Sequence, residues 1–383
     1  MISFWERNSF TEADIIVIGA GITGLSTACA VKEKNPDKNV LVLERGIFPT
    51  GASTKNAGFA CFVKACEMLG DIKLTDTDHV AQLALRRKEG LEKLRHRLGD
   101  HNIGYVQNGG YELIFEDDET YDGAEIEKLN HLLMPHFGTQ VFYFKDELID
   151  QYGFGKTRHL IYTPLEGQID SGLMMKNLAR YATSLGVKII YGAEVIEFDE
   201  NQDRVSVFVN HRHLNQNVEF TCSKLALCTN AYTGQFMPEL DIIPGRGQVV
   251  ITKPIEGLRF KGTFHFDEGY YYFRDYDNRV LLGGGRNLDF NMEQTGVLEE
   301  NPVIVDRLRE ILEDIILPGV AFEIDMNWAG IMGFTADKKP IVKMVTPNIA
   351  VGFGCNGMGV ALGSHTGESV ANLLLGEVGQ LGS

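Results

Sequence analysis

From Asp14 to Ile18 the chain carries a short run rich in β-branched apolar side chains, and then the period of the pattern changes. Glycines at Gly19, Gly21 and Gly24 make a turn, and Leu25 to Glu33 continues with helical spacing until Asn35-Pro36 stops it. A second apolar run, Asn39 to Leu43, ends at Glu44. Asp78 to Leu98 shows apolar residues at Val80, Leu83, Leu85, Leu91, Leu94 and Leu98 among charges, which predicts a surface helix capped by Asp78 and ended by Gly99. Tyr105 to Phe115 reads as strand with a break at Gly109-Gly110, and Glu125 to Leu133 returns to helix. Asp170-Ser171 caps a helix to Leu185, and strands at Lys188 to Tyr191 and Val195 to Phe198 follow.

The later pattern is mostly strand. Leu225 to Thr229 reads as a buried strand able to rejoin the first sheet. Pro244 to Lys253, Gly262 to Asp267, Tyr270 to Arg274 and Arg279 to Leu282 form a run of short strands, with Asp277-Asn278 as the tightest hairpin signal. Asn301-Pro302 starts a helix to about Leu317, and the tail runs from Trp328 through a glycine cluster, a strand Ile349 to Phe353, a second glycine turn at Gly354 to Gly359 and a helix to Leu375. The N-terminal unit cannot close a sheet alone, so the tail is expected to fold back beside it, with the all-strand segment inserted as a separate layer. The predicted class is α/β with an α+β second domain. It divides into a discontinuous Rossmann-like domain over 11–85, 155–235 and 326–383 and a mainly antiparallel substrate domain over 86–154 and 236–325.

The first 45 residues carry chemistry as well as structure. Gly19 permits the tight turn, Gly21 lets backbone approach a pyrophosphate, and Gly24 lets the helix pack on the strand. Free N–H groups at the helix start, at Ile22 and Thr23, face the phosphate charge. Glu44, twenty residues past Gly24, can accept hydrogen bonds from both ribose hydroxyls. A 2′-phosphate would meet that carboxylate, which favours FAD or NAD, while the adjacent Arg45 keeps NADP open. Gly51 to Ala60 is small and polar, and reads either as a ligand cradle or as a flexible loop with Ser53 and Thr54 as helix caps.

Composition narrows the function classes. The chain has 383 residues, 44% of them hydrophobic, enough for two cores. Its 36 basic and 52 acidic residues leave a net charge of −16, a field that repels nucleic acid and anionic membranes. No signal-like start and no apolar stretch of about eighteen residues is found, so a cytoplasmic protein without a membrane span is expected. The six cysteines contain no C-x-x-C pair, and His211 and His213 sit in a polar hairpin, so neither a disulfide framework nor a metal site is expected.

Four blocks together resemble a known family, the FAD-dependent amine and amino-acid oxidoreductases of the D-amino acid oxidase type. They are Val17 to Gly24 with Glu44-Arg45; Gly51 to Phe59 with Ser53 and Asn56-Ala57-Gly58; Ala226 to Ala231; and Trp328 to Pro340 with Gly354 to Gly359. The arrangement is most similar to the γ-glutamylputrescine oxidase and glycine oxidase-like branch. The resemblance implies noncovalent FAD, lined by Ser53, Thr54, Asn56, Ala57 and Gly58. Val195 would lie on the adenine side, with Thr229, Asn230, Gly330 and Gly333 also at the cofactor. Asn356, Gly357, Met358 and Gly359 would approach the ring, and the helix starting near Met358 would point its positive end at the flavin N1 and C2 carbonyl region.

It also implies hydride transfer from the carbon beside a substrate nitrogen to flavin N5, giving an imine that water hydrolyses. The partners are then a small amine or amino-acid-like substrate and oxygen or another electron acceptor. The inserted sheet should supply the substrate wall, with Tyr270, Tyr271, Tyr272, Arg274, Arg286 and Gln248 as candidates. Alternation sets Tyr271 and Phe273 on one face and Tyr270, Tyr272 and Arg274 on the other. Three departures from the family pattern stand out. Ile331 and Met332 stand where members acting on small amino acids carry a carboxylate-clamping arginine, Gly330 stands where the sarcosine oxidase branch attaches its flavin through cysteine, and Leu281 stands near the lysine that assists oxygen. An NAD(P)-linked dehydrogenase and a flavin-binding redox module without turnover are the competing readings.

Overall fold

The computed structural model describes all residues except 1, 117, 119–122, 212–215, 337 and 378–383. The turn that holds His213 therefore lies outside the described residues.

Two sheets carry the molecule. In the first, the strands run in the order Ile341–Met344, Ile349–Phe353, Gln216–Leu227, Glu12–Ile18, Val40–Glu44 and Lys188–Tyr191. Neighbours pair in parallel except for the antiparallel Ile341–Met344 edge. Their runs are apolar throughout because both faces are covered: Val17 and Val42 pack under helices, whereas Ile16, Leu41, Leu225 and Val351 pack with Val195, Val207 and Val209 of Glu194–Glu200 and Val205–His211, an antiparallel pair whose second strand joins Gln216–Leu227. Ile22–Lys34 and Gly359–Leu375 lie against each other on this layer, and the close approach comes from missing side chains. A Cβ on Gly367 would press on Ser26 and the Thr23 carbonyl, and one on Gly363 would press on the Ile22 side chain at 2.6 Å.

The second sheet runs Ile324–Phe334, Ile243–Thr252, Arg279–Gly284, Tyr271–Tyr276, Thr263–Phe266, Gly110–Phe115, Thr157–Thr163 and Tyr143–Phe144. Pairing is antiparallel except between Thr263–Phe266 and Gly110–Phe115. One face of it buries Phe260, Phe264, Phe273 and Tyr111 against Ile304, Leu308 and Leu312 of the helical segment that follows Asn301. The hairpin at Asp277-Asn278 forms as expected, with both residues at positive φ.

Several boundaries move. Thr157–Thr163 and Ile324–Phe334 hydrogen-bond into the second sheet, although cuts at 155 and 326 would assign them to the first domain. A cut at 85 would split the Thr77–Leu98 helix, whose Leu91, Leu94 and Leu98 join the core beneath the first sheet. Strand pairing between remote segments decides these memberships, and local periodicity does not contain it. The helix N-cap is Asp76 rather than Asp78, which sits in the first turn. No helix among the described residues is long and apolar enough to cross a membrane.

Candidate active site

A cavity of about 630 Å³ lies between the two sheets. Its inner end is the turn after Glu12–Ile18. Gly19 takes φ +101, and a Cβ on Gly24 would strike the Gly19 carbonyl oxygen, so the first glycine shapes the turn and the third seats the helix. Gly21 is different: it is the N-cap of Ile22–Lys34 at φ −71, and a Cβ there would meet only Ser53 Oγ at 3.2 Å. The protein itself leaves room at Gly21, as expected of a position reserved for a ligand. The Ile22 N–H donates to Ser53 Oγ (2.9 Å), so that donor is held by the protein, and Thr23 lines the cavity beside it. Glu44 is buried and oriented by two backbone donors, Ala20 N–H to Oε2 and Gly46 N–H to Oε1, each 2.9 Å. Arg45 stacks on the Tyr232 ring at 3.9 Å and borders the same end as Val195.

The segment after Gly51 is a short helix, Ala52–Lys55, and Gly51 is its N-cap. Ser53 and Thr54 are therefore inside the helix and do not cap it. Asn56 holds the following bend: its Oδ1 accepts from Gly58 N–H (2.9 Å) and Ser171 Oγ–H (2.7 Å), and its amide donates to the Ser53 carbonyl (2.8 Å). Trp328 Nε1–H donates to the Lys55 carbonyl (2.9 Å) and ties this segment to the second sheet. Opposite it, Met358 is the N-cap of Gly359–Leu375. A Cβ on Gly357 would meet only Met332 Sδ at 3.7 Å, and one on Gly359 only Cys355 Cβ at 4.0 Å. Gly357 takes φ +81, which itself favours glycine, while Gly359 has no such backbone demand; both are uncrowded by protein, which fits a planar ring approaching the helix start. Gly333 has a structural reason instead, since its Cβ would press on Asn230 Oδ1 at 2.7 Å.

The floor at the other end is one row across the second sheet. Register places Val249 opposite Gly283, Gly283 opposite Tyr272, Tyr272 opposite His265, and His265 opposite Glu112. The Tyr272 ring lies across Gly283, where a Cβ would come within 2.6 Å of it. Burial pushes the Tyr272 phenol up to about 12, so its hydroxyl keeps its proton. His265 packs on Phe59 with ring centroids 4.8 Å apart, and neither ring nitrogen has a hydrogen-bond partner. Burial, with a smaller contribution from the nearby Lys64 charge, holds its pKa down to about 3, so the imidazole is neutral.

Arg286 lines the cavity with its guanidinium 3.9 Å over the Phe334 ring, and among the described residues it has no ion-pair partner. Burial lowers its pKa and outweighs the opposing pull of Tyr270 and Glu293. Elsewhere on the wall, Glu67 joins Lys64 and Arg87, each at 3.0 Å, and Asp71 pairs with Lys338 at 2.7 Å.

Most of the cofactor residues expected from the sequence meet in this one cavity: Gly19, Gly21, Ile22, Thr23, Glu44, Arg45, Ser53, Asn56, Ala57, Val195, Thr229, Asn230, Gly330, Gly333 and Asn356 to Gly359 line it. Six expected residues do not. Gly24 acts in helix packing, Thr54 donates to the Pro49 carbonyl, and Gly58, at φ +74, packs against Ile169 and Arg274. Tyr271 faces the opposite side of the sheet and stacks on Phe266 at 5.0 Å. Arg274 has the expected face but is covered: its Nη1 donates to the Gly58 and Ile169 carbonyls, both 2.7 Å, and clasps the bend at Asn56 to Gly58 to the sheet. Gln248 points into a buried network with Glu293 and the Glu299 carbonyl. Among the substrate candidates Arg286, Tyr270 and Tyr272 reach the cavity. His265 was missed, although the Thr-Phe-His-Phe alternation, with both phenylalanines turned to the core, could have marked it.

Comparison with known proteins agrees with this geometry. The family model described as FAD dependent oxidoreductase, DAO, matches residues 14–373. The probable oxidoreductase OrdL of Haemophilus influenzae is 26% identical, over 96% of this chain and 84% of that protein. The gamma-glutamylputrescine oxidoreductase of Escherichia coli is 25% identical, over 98% of this chain and 86% of that protein. The glycine oxidase structure from Geobacillus kaustophilus superposes with a TM-score of 0.77 at 18% identity, covering 97% of this chain and 96% of that one. The L-proline dehydrogenase structure from P. horikoshii gives 0.76 at 18% identity, with the same coverages. The chain belongs to the DAO family of FAD-dependent oxidoreductases, and FAD is its cofactor.

Proposed function

We propose that this enzyme oxidises a C–N bond in a small amine or amino-acid-like substrate that carries an anionic group away from the reacting carbon. The observation that carries the substrate reading is Arg286: a half-buried guanidinium on the cavity wall, stacked on Phe334 and, among the described residues, without an ion-pair partner. A carboxylate on the substrate would supply that charge through paired N–H donors. Met332 and Ile331 offer no cation at the neighbouring stretch of Ile324–Phe334, so the anion is read from the Arg279–Gly284 side of the floor.

Bound FAD would accept the hydride at N5 and so supply the redox chemistry. Everything else falls to the chain. The Gly19–Gly24 turn and the first turn of Ile22–Lys34 would hold the pyrophosphate, Glu44 a ribose, and Arg45 with Tyr232 and Val195 the adenine end. Ala57, Gly330 and Asn356 to Gly359 would border the ring system, held noncovalently since Gly330 has no side chain for attachment. Tyr272 gives a flat, protonated, water-excluding floor, and Arg286 sets the distance between the anionic end and the reacting carbon. Orientation and exclusion of water carry such a transfer further than a strong base would.

Anaerobic mixing of the flavin-loaded enzyme with a panel of amines, amino acids and carboxylated polyamine derivatives tests the proposal. Bleaching of the flavin by amines carrying a remote carboxylate is expected, and bleaching by none of the panel would leave a redox module without amine turnover. Leu281, packed with Ala57 and Val249, puts no cation at the position where one would assist oxygen. Readmitting oxygen after bleaching separates an oxidase from a dehydrogenase.

A further inference from the structure

We propose that Cys61, Glu166 and His265 form a binding site for one divalent metal ion of the zinc type in the inner wall of the cavity. Their ligand atoms lie within 4.8 Å of one another, and all three residues are buried, with exposures of 5%, 1% and 6%. The three come from remote parts of the chain, so no spacing motif marks them. The fold brings them together: Phe59–Ala60 pairs with Gly167–Gln168, which sets Glu166 beside Cys61, and Thr263–Phe266 delivers His265 from the sheet.

The unpaired imidazole is the observation that points to a ligand. Buried polar groups are almost always hydrogen-bonded, yet both Nδ1 and Nε2 of His265 are without a partner. A void of about 10 Å³ lined by Glu166 and His265 but not by Cys61 adjoins the imidazole, and so does the main cavity, lined by Cys61 and His265. Glu166 is already oriented as a ligating carboxylate would be. Its Oε1 accepts from the N–H groups of Phe62 (2.6 Å) and Val63 (2.7 Å), while Oε2 turns towards Gly110.

Thiolate, imidazole and carboxylate are the donors zinc takes, and three protein ligands leave a fourth position open towards the cavity that Cys61 and His265 also line. Zinc–ligand bonds would place the donor atoms about 3.5 Å apart, so donors that now lie within 4.8 Å of one another would close by up to about 1.3 Å through side-chain rotation. On binding, the Cys61 S–H bond breaks and its proton leaves to solvent as the metal–sulfur bond forms. Any proton on Glu166 leaves likewise, His265 donates a lone pair, and nothing is oxidised or reduced. Thiolate and carboxylate together neutralise a divalent ion, so the occupied site adds no net charge beside Lys64, whose ammonium already faces Glu67 at 3.0 Å.

The test uses the FAD-loaded full chain, stripped with chelator, dialysed against zinc chloride and analysed for metal by mass spectrometry. One zinc per chain is expected, with affinity falling more than about a hundredfold in Cys61→Ser and in His265→Ala while Cys29→Ser keeps it. The cobalt form should show a thiolate-to-metal charge-transfer band in the difference spectrum against the zinc form, absent in Cys61→Ser. Flavin absorbance shows whether each variant folds. Should the variants fail to fold, zinc must protect Cys61 from alkylation in the unmodified protein, mapped by peptide mass. A holoenzyme that takes up no zinc, with His265 bonded to water alone, overturns the proposal, as does uptake indifferent to Cys61 and His265. Zinc uptake is read independently of amine bleaching, so either reading can fail alone.

Discussion

Gly21→Val separates a glycine kept for the cofactor from one kept for the fold. At φ −71 and ψ −180 the position accepts a β-branched residue without backbone strain. The new Cβ meets Ser53 Oγ at 3.2 Å, and the same oxygen accepts the Ile22 N–H at 2.9 Å. Losing that hydrogen bond costs about 1 kcal/mol, and replacing a glycine N-cap with an apolar residue costs about another 0.5–1 kcal/mol. Together these are a minor part of the roughly 5–15 kcal/mol of a typical fold. Against the cofactor the effect is larger. The valine methyl groups would occupy the approach to the helix start, and two lost charge-assisted N–H bonds to phosphate, at about 1.5–3 kcal/mol each, weaken FAD by roughly 10²- to 10⁴-fold. Gly24→Ala is the contrast: its Cβ collides with the Gly19 carbonyl oxygen, a backbone atom that cannot step aside, so thermal stability and FAD should fall together. The assay is flavin per chain after gel filtration, an FAD titration of the apoprotein, and the apoprotein melting temperature. If Gly21→Val binds FAD as the unmodified protein does, or if its apoprotein is less stable than Gly24→Ala, the pyrophosphate argument is wrong.

Arg286→Gln should raise KM for anionic amines by roughly 10- to 100-fold, the value of a lost charge-assisted contact, with kcat changed much less. An unchanged KM across all active substrates would remove the anion reading. Burial alone would raise the Glu67 carboxyl, but Arg87 and Lys64 outweigh it and hold the group well below the usual carboxylate range. Its folded pKa is thus depressed, so the stabilisation is complete above about pH 5, where the unfolded carboxyl is also ionised, and is lost as pH falls from there. Denaturant titrations between about pH 3 and 7 should show a flatter dependence in Glu67→Gln. At neutral pH that variant leaves Arg87 buried without its partner and should lose about 3–5 kcal/mol. Phe264→Ala removes a fully buried ring stacked on Phe273 and Tyr111, both at 4.7 Å, and should cost about 3–5 kcal/mol. FAD affinity of the folded fraction should hold, because that ring faces away from the cavity.

What the sequence determined by itself was local. The Glu12–Ile18 strand, the Gly19 to Gly24 turn, the Ile22–Lys34 helix and the acid at Glu44 follow from short-range period, glycine sterics and fixed spacing. The same holds for the Asp170 cap, whose side chain accepts from Leu173 N–H at 2.8 Å. Tertiary structure decided everything that depends on which distant strand lies alongside. Alternation separated Tyr271 from Tyr272 but could not say which face met the cavity, nor that Gly58 and Ile169 would cover Arg274 two residues further on. Gly330, expected only as a cofactor contact within a glycine cluster, lies inside an eleven-residue strand of the second sheet. His265, Cys61 and Glu166 acquire a shared environment only through the pairing of remote segments. Backbone preference acts over a few residues, whereas burial and the partner of a polar side chain are set by contacts between parts of the chain that the sequence keeps far apart.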